Sequence, residues 1–139
     1  MSAGEAFFDT NVLLYLLSAD AAKADRAEQL LAGGGTISVQ VLNEFAAVAS
    51  RKLRMPWPDI NEVLTQVRAV CDVQSLTVQT HEQAVKLAER YGLSLYDALI
   101  VSAALLTGCK TLWSEDMQDG QVFNRRLTIR NPFARAALA

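Results

Sequence analysis

The chain has 139 residues, of which 51% are hydrophobic and 20% charged, and its formal net charge is −2 at pH 7. This length predicts one domain over residues 1–139, and the apolar content excludes a disordered or low-complexity chain. No apolar run approaches the roughly 18 residues that span a bilayer, and the first residues lack a signal-peptide pattern, so we expect a cytoplasmic protein without membrane contact.

Short apolar runs between turn residues predict strands, and apolar residues at helical spacing predict helices. In chain order the predicted elements are a strand at 6–9, helices at 12–17 and 21–31, a strand at 36–39, helices at 41–53 and from Asp59 onward, a strand at 73–78, helices at 82–90 and from Ser94 to 108, and strands at 111–113 and 127–129, with a polar loop at 114–120.

Polar residues and glycine mark the predicted helix ends. Asp59, which follows Pro56-Trp-Pro58, is expected to cap the next helix. Thr80-x-x-Gln83 and Ser94-x-x-Asp97 have the form of capping boxes, and Gly92 has the position of a C-terminal cap.

Strands that alternate with helices predict an α/β fold with a parallel sheet and helices on both faces. In such sheets, ligands bind at the edge formed by the carboxyl ends of the strands. Four acidic residues are predicted at this edge. Asp9 ends the first strand, Glu44 lies in the first turn of the third helix, Asp97 lies in the first turn of the helix after Ser94, and Asp116 follows the strand at 111–113.

Each acid has a purely structural alternative. Asp9 could only cap the helix after it, and Asp97 could be the acidic half of its capping box. Glu44 could be a solvent-facing helix residue, and Asp116 could be one of several turn-forming acids, Asp119 among them. If all four structural explanations held, four unrelated acids would still have to lie at the same edge of one sheet, and this coincidence favours a shared site.

A divalent cation would relieve the repulsion between clustered carboxylates. Carboxylate oxygens without Cys or His suit Mg²⁺, or Mn²⁺, better than Zn²⁺. With four of the 15 acids set aside for such a site, the 13 lysines and arginines outnumber the remaining acids by two, which is compatible with a nucleic-acid partner. Cys71 and Cys109 lack metal-ligand spacing and are predicted to be small buried residues.

Four segments share their order and spacing with one known family. They are Phe-Phe-Asp9-Thr-Asn11, Asn43-Glu44-Phe45, Leu95-Tyr-Asp97-Ala-Leu-Ile100 and Leu112-Trp-Ser114-Glu-Asp116-Met117. On these residues, nearly the whole chain resembles the PIN domain family, and within it the VapC-like toxins. The resemblance implies a three-layer α/β/α sandwich with a central, mainly parallel sheet. It also implies metal-dependent cleavage of RNA by the toxin of a type II toxin–antitoxin pair.

The resemblance further implies residue roles and partners. The acids that would bind Mg²⁺ and carry the catalysis are Asp9, Glu44, Asp97 and Asp116. The supporting residues would be Asn11 and Ser114, with Asp119 as a candidate additional acid. RNA would be the substrate, and a VapB-like antitoxin would block the site.

Other residues allow two explanations each. The basic run at 51–54 and the later Arg125, Arg126 and Arg130 could contact RNA phosphates, or a basic run could only favour a helix terminus. Trp57 and the early helices could form a homodimer or antitoxin surface, or Trp57 could pack in the core. A homodimer is the expectation that follows from the first of these. His81, a lone histidine at a helix start, receives no catalytic role.

Two other function classes are open to the same features. A phosphatase or phosphotransferase with Asp9 as nucleophile would need a second acid two positions on, where Asn11 stands. A non-catalytic PIN-like module would bind metal and RNA without cutting. For a nuclease, water attack at phosphorus would leave a 3′-hydroxyl and a 5′-phosphate, and a folded RNA such as a transfer RNA is the expected target.

Overall fold

A six-stranded sheet forms the centre of the fold in the computed structural model, which describes residues 5–134. The strands are β1 (Ala6–Phe8), β2 (Gly35–Ser38), β3 (Cys71–Gln74), β4 (Thr111–Trp113), β5 (Val122–Phe123) and β6 (Leu127–Arg130). The helices are α1 (Thr10–Leu14), α2 (Ala21–Ala32), α3 (Val39–Arg51), α4 (Trp57–Val70), α5 (Val78–Tyr91) and α6 (Leu95–Leu106), with a 3-10 turn, Tyr15–Leu17, after α1. The helices flank the sheet, which confirms the predicted α/β/α sandwich.

The sheet is parallel except at one edge. Its strand order is β3-β2-β1-β4-β6-β5, so β1, whose three residues are all buried, lies inside the sheet. β1 pairs in parallel with β2 and β4, and parallel pairs also join β2 to β3 and β4 to β6. β5 runs antiparallel to β6. The five parallel strands therefore end at the same edge of the sheet, which we call the carboxyl edge.

Gly35 lets β1 and β2 lie close together. A Cβ atom at this position would lie 2.5 Å from Cε2 of Phe8 and 2.9 Å from the carbonyl oxygen of Ala6. Both distances are shorter than carbon atoms tolerate, so a larger residue would separate the strands. Phe8 and its neighbour Phe7 are fully buried and fill the core on the two faces of β1.

Two predicted helix caps are wrong, whereas two others are confirmed. Asp59 lies in the first turn of α4, and Pro56 occupies the N-cap position without a side-chain hydrogen bond. α5 begins earlier than predicted, because Thr77 caps it and forms the capping box with Thr80. Ser94 caps α6, and Gly92 ends α5 in the left-handed conformation with φ 69°.

The strands differ from prediction at two places. β3 covers Cys71–Gln74 instead of 73–78, because its pairing with β2 aligns Gly35 with Cys71 and leaves the later apolar residues outside the ladder. β5 was not predicted, since its two residues give no alternating pattern. Cys71 and Cys109 are buried free thiols, as predicted. Trp57 is 64% exposed, so it does not pack in the core.

Most of the apolar helix α6, which carries Asp97, is buried. Ala98, Ile100, Val101 and Ala103 are almost completely covered, and the small side chains allow α5 to pack closely against it. None of the helices described between residues 5 and 134 is long and apolar enough to cross a membrane.

Candidate functional site

Four elements bring the four predicted acids to the carboxyl edge. Asp9 follows β1 directly and caps α1. Asp116 lies three residues beyond β4, and Asp97 lies in the first turn of α6, as predicted. Glu44 was predicted in the first turn of its helix, which is wrong: α3 begins at Val39 because Ser38 caps it, so Glu44 lies in the second turn.

Asp9 is the buried centre of this group. Its carboxylate is 6% exposed and accepts hydrogen bonds from the Ser114 hydroxyl at 2.8 Å and the Thr10 backbone N–H at 2.7 Å. The pKa of Asp9 is raised to about 6, mainly by burial; the two hydrogen bonds lower the pKa, and the negative charges of Asp97 and Asp116 add to the rise. The surroundings of Asp9 therefore disfavour its negative charge unless a positive charge compensates it.

The loop after β4 is held to α1 by side-chain hydrogen bonds. Asn11 donates from Nδ2 to Oδ2 of Asp116 at 3.0 Å, and its Oδ1 accepts from the Glu115 backbone N–H at 3.4 Å. The Ser114 hydroxyl, besides donating to Asp9, accepts from the Met117 backbone N–H at 3.2 Å. Asn11 and Ser114 thus have the positions expected of residues that orient Asp116 and Asp9.

Two residues that the sequence analysis did not single out hold Glu44. The Thr10 hydroxyl donates to Oε2 of Glu44 at 2.9 Å, and Gln40 donates from Nε2 to Oε1 at 2.6 Å. Gln40 also donates to the Tyr96 carbonyl oxygen at 3.2 Å, which ties α3 to the start of α6. The spacing of Gln40 and Glu44, one helical turn apart, was the available sequence signal.

Asp97 is part of the same electrostatic group. Partial burial raises its pKa first, followed by the negative charge of Asp116, and Glu44 adds a smaller effect in the same direction. Ser94 opposes this rise, and its hydroxyl also accepts from the Asp97 backbone N–H at 3.2 Å. The capping position and the site position of Asp97 therefore coexist.

Asp119 forms a hydrogen bond outside the group of four acids. Its Oδ1 accepts from the Asn131 backbone N–H at 2.8 Å, which closes the loop after β4 against the segment that follows β6. The structure gives Asp119 a loop-closing contact, and its membership of the site remains a prediction.

The chemistry of the donors suits Mg²⁺ or Mn²⁺. The group consists of hard carboxylate oxygens, and the raised pKa values of Asp9 and Asp97 indicate negative charge that a cation would compensate. Within residues 5–134, no three Asp, Glu, His or Cys side chains are already arranged as a complete metal site. Metal binding would therefore require these side chains to turn towards a common point.

Comparisons with known proteins agree with this architecture. The sequence profile of the PIN domain matches residues 6–119. No curated protein matches the chain by sequence.

Several solved structures have a similar fold. A toxin–antitoxin complex from Klebsiella pneumoniae matches with a TM-score of 0.68 and 23% identity, over 92% of this chain and 98% of that one. A Mycobacterium tuberculosis VapC toxin that cleaves the sarcin–ricin loop matches with a TM-score of 0.65 and 22% identity, over 80% of this chain and 91% of that one. A VapB–VapC complex from Rickettsia felis, bound to a DNA fragment from their promoter, matches with a TM-score of 0.65 and 18% identity, over 91% and 97%.

The similar structures share no more than 23% sequence identity with this chain, so they establish its fold and nothing beyond the fold. The profile match covers most of the chain and includes all four acids of the carboxyl edge. The protein therefore belongs to the PIN domain family.

Proposed function

We propose that the protein is a metal-dependent endoribonuclease that acts as the toxin of a type II toxin–antitoxin pair. The observation that carries this proposal is the environment of Asp9, a 6% exposed carboxylate whose pKa is raised to about 6 by burial and by Asp97 and Asp116. Three neighbouring acids, one of them buried, lower the stability of the fold, because their negative charges repel each other and burial disfavours charge. Such an arrangement suits a site that binds a cation and a phosphate group.

Asp9, Glu44, Asp97 and Asp116 would hold the metal. When bound, Mg²⁺ or Mn²⁺ would lower the pKa of a water molecule, so that it could lose a proton and attack phosphorus, and would neutralise charge on the phosphate. Ser114 and the Thr10 N–H orient Asp9, and Asn11 orients Asp116. Thr10 and Gln40 hold both oxygens of Glu44.

Hydrolysis at such a site is expected to leave a 3′-hydroxyl and a 5′-phosphate. Cleavage through the ribose 2′-hydroxyl commonly uses a pair of histidines as acid and base. The chain has one histidine, His81, which is exposed in the first turn of α5 and not among the residues that contact the acids. The carboxylates are therefore the groups on which we place the chemistry.

The proposed partners follow from family and fold. Two of the similar structures are toxin–antitoxin complexes, which supports a VapB-like antitoxin that covers the carboxyl edge. The exposed Trp57 favours a contact with such a partner or with a second copy in a homodimer. The substrate we expect is a folded cytoplasmic RNA with unpaired bases, such as a transfer RNA.

The test is incubation of antitoxin-free protein with total cellular RNA in Mg²⁺ or Mn²⁺, with an EDTA control and end-group analysis. We expect discrete cleavage that leaves 5′-phosphates and disappears in EDTA and in Asp9→Asn. Glu62→Gln is the matched control, because it removes one exposed negative charge from α4. No cleavage by folded wild-type protein in either metal would favour the non-catalytic binding module.

A further inference from the structure

A groove with a strongly basic lining lies over the β4–β6 part of the sheet. Its volume is about 640 Å³, and among the described residues its lining contains four cations and no acid. The cationic residues of this basic groove are Lys110, Arg125, Arg126 and Arg130. The basic groove is therefore a local concentration of positive charge in a chain whose formal net charge is −2.

The basic groove begins at the edge of the sheet opposite the acids, at the starts of β4 and β6, and extends to Arg130 at the end of β6. The register of β4 and β6 aligns Thr111 with Thr128 and Trp113 with Arg130, so these four side chains share one face of the sheet. Lys110 directly precedes β4, and the distance along this strand from Lys110 to Ser114 is about 13 Å. The Ser114 N–H donates to the Arg130 carbonyl oxygen at 3.0 Å, and the Ser114 hydroxyl donates to Asp9.

A strained turn presents two of the arginines. Asn124 and Arg125, between β5 and β6, have φ values of 50° and 58°, and the Arg126 N–H donates to the Phe123 carbonyl oxygen at 3.0 Å. This is the pattern of a type I′ turn, in which glycine would usually replace Arg125. The Tyr91 hydroxyl holds the turn by accepting from the Asn124 N–H at 3.0 Å and donating to its side-chain oxygen at 3.2 Å.

Other interactions leave the positive charge of the groove largely uncompensated. Lys110 forms an ion pair with Glu5 at 3.9 Å, but its side chain is 75% exposed, so the pair contributes little. The guanidinium of Arg130 lies 4.9 Å from the Trp113 ring centroid, and Arg126 donates to the Leu105 carbonyl oxygen at 3.5 Å. These contacts orient the side chains without neutralising their charge.

We propose that the basic groove binds the phosphate backbone of the RNA substrate on one side of the bond that is cut. This inference rests on the proposed function for the identity of the polyanion, and it adds the direction in which the strand leaves the acids. Guanidinium and ammonium groups along a groove bind successive phosphates without reading sequence. The groove would therefore contribute affinity, and the acids would carry the chemistry.

The test compares two double variants that each lose two positive charges. Lys110→Gln with Arg125→Gln alters the groove, and Arg51→Gln with Lys52→Gln alters the exposed end of α3 as the matched control. Binding of fluorescein-labelled single-stranded oligouridylate is measured by anisotropy in EDTA over a range of salt concentrations. Loss of two phosphate contacts should lower the salt slope by about 1.4, which corresponds to roughly 25-fold weaker binding near 0.1 M salt. We expect the control to bind within about twofold of wild type, because Arg51 and Lys52 lie at the end of α3, where positive charge favours the negative helix terminus, the second of the two explanations for the basic run at 51–54.

A single variant separates binding from folding. Arg125→Gly removes the strain of a positive φ, so its Tm should rise above that of wild type. Its affinity for the same RNA should nevertheless fall roughly fivefold near 0.1 M salt, as expected for one lost phosphate contact. Unchanged affinity in this more stable variant would contradict the proposal.

Cleavage assays keep this inference distinct from the proposed function. In Mn²⁺, the groove double variant should show a raised KM and an unchanged kcat. Two results would contradict RNA binding by the groove and leave the nuclease proposal intact, provided that wild type cleaves RNA. One is an unchanged RNA affinity and KM in the groove double variant. The other is an equal loss of RNA affinity in both double variants. Lost RNA binding in the groove variant, without cleavage by wild type, would support the groove and contradict the nuclease. The remaining result is that the groove double variant binds a labelled oligoglutamate peptide more weakly than wild type does while its RNA affinity is unchanged. This result would assign the groove to an acidic protein and overturn the RNA proposal.

Discussion

Asp9 combines two roles that the sequence presented as alternatives. One carboxylate oxygen accepts the Thr10 N–H as a helix cap, and the other accepts the Ser114 hydroxyl at the carboxyl edge. The cap fixes the side chain in the position where Asp97 and Asp116 act on it. A capping pattern after a buried strand is therefore compatible with a site residue. In α6 the cap is Ser94, and Asp97 donates its backbone N–H to the Ser94 hydroxyl.

The burial of Asp9 predicts a pH-dependent effect of Asp9→Asn on the metal-free protein. Folding raises the pKa of Asp9 from 3.8 to about 6, so the folded state holds this proton more tightly than the unfolded state. Asp9 thus favours folding below pH 3.8, and this contribution is lost as the pH rises through about 6. Asn has no such loss, and the variant should be more stable than wild type near pH 8 by up to about 3 kcal/mol.

Urea unfolding in EDTA, at low and high pH, measures this difference. Near pH 4 the two proteins should have similar free energies of unfolding, because Asp9 is then largely protonated in the folded state. An equal stability difference at both pH values would show that the effect comes from packing or hydrogen bonding, not from the carboxylate charge.

Ser114 should act on metal affinity through Asp9. Its hydroxyl donates to Asp9 and accepts from the Met117 N–H, so Ser114→Ala removes one of the two hydrogen-bond donors to the Asp9 carboxylate and loosens the loop that carries Asp116. Loss of such an orienting contact typically weakens metal binding by about 10–100-fold. The Mn²⁺ concentration for half-maximal RNA cleavage should rise accordingly, whereas an unchanged metal requirement would show that Asp9 is held without Ser114.

The Thr10 hydroxyl could not be predicted from the sequence as a partner of Glu44. Asp9, Asp97 and Asp116 were placed correctly because strand ends and helix starts can be located from local pattern. The Thr10 hydroxyl reaches Glu44 across 34 positions of sequence, and that contact depends on how α1 packs against α3. Contacts of this kind are set by packing between elements, which local pattern does not contain.

At the scale of elements, the helix caps have different consequences for stability and for activity. Thr77 caps α5, which carries none of the four acids, whereas Ser94 caps α6, which carries Asp97. Replacement of either residue by Ala should lower the free energy of unfolding by about 1 kcal/mol. Only Ser94→Ala should also reduce kcat for RNA cleavage under conditions where both variants are folded.

Thermal unfolding and cleavage rates of the two cap variants provide this comparison. Equal losses of activity in Thr77→Ala and Ser94→Ala would mean that stability, not the position of Asp97, limits cleavage. Full activity in folded Ser94→Ala would show that Asp97 keeps its orientation without the cap.

Errors in the predicted elements arose where local pattern and pairing disagree. The apolar residues from 73 to 78 suggested a strand, yet β3 begins at Cys71 because its ladder with β2 fixes the register. In α5, Thr80 is the inner member of the capping box, and the outer member, Thr77, lies three residues earlier. Both errors moved boundaries without changing the number or order of the elements concerned, so the fold class was still predicted correctly.

At the scale of the whole molecule, the sheet order separates two kinds of charge. The order β3-β2-β1-β4-β6-β5 places β1 and β4 side by side, which brings Asp9 next to the loop of Asp116. The starts of β4 and β6 lie at the opposite edge, where Lys110, Arg125 and Arg126 line the basic groove. This strand order cannot be read from a single sequence, because helical crossovers allow several orders of parallel strands.

We propose that acids from four separate elements of the fold form one metal-binding centre. Titration calorimetry with Mn²⁺ on wild type, Asp9→Asn and Glu62→Gln measures this most directly, since it requires no knowledge of the RNA target. We expect wild type and Glu62→Gln to bind Mn²⁺ with the same affinity and Asp9→Asn to bind at least about tenfold more weakly. Equal Mn²⁺ affinity in all three proteins, or no binding by folded wild type, would contradict the account.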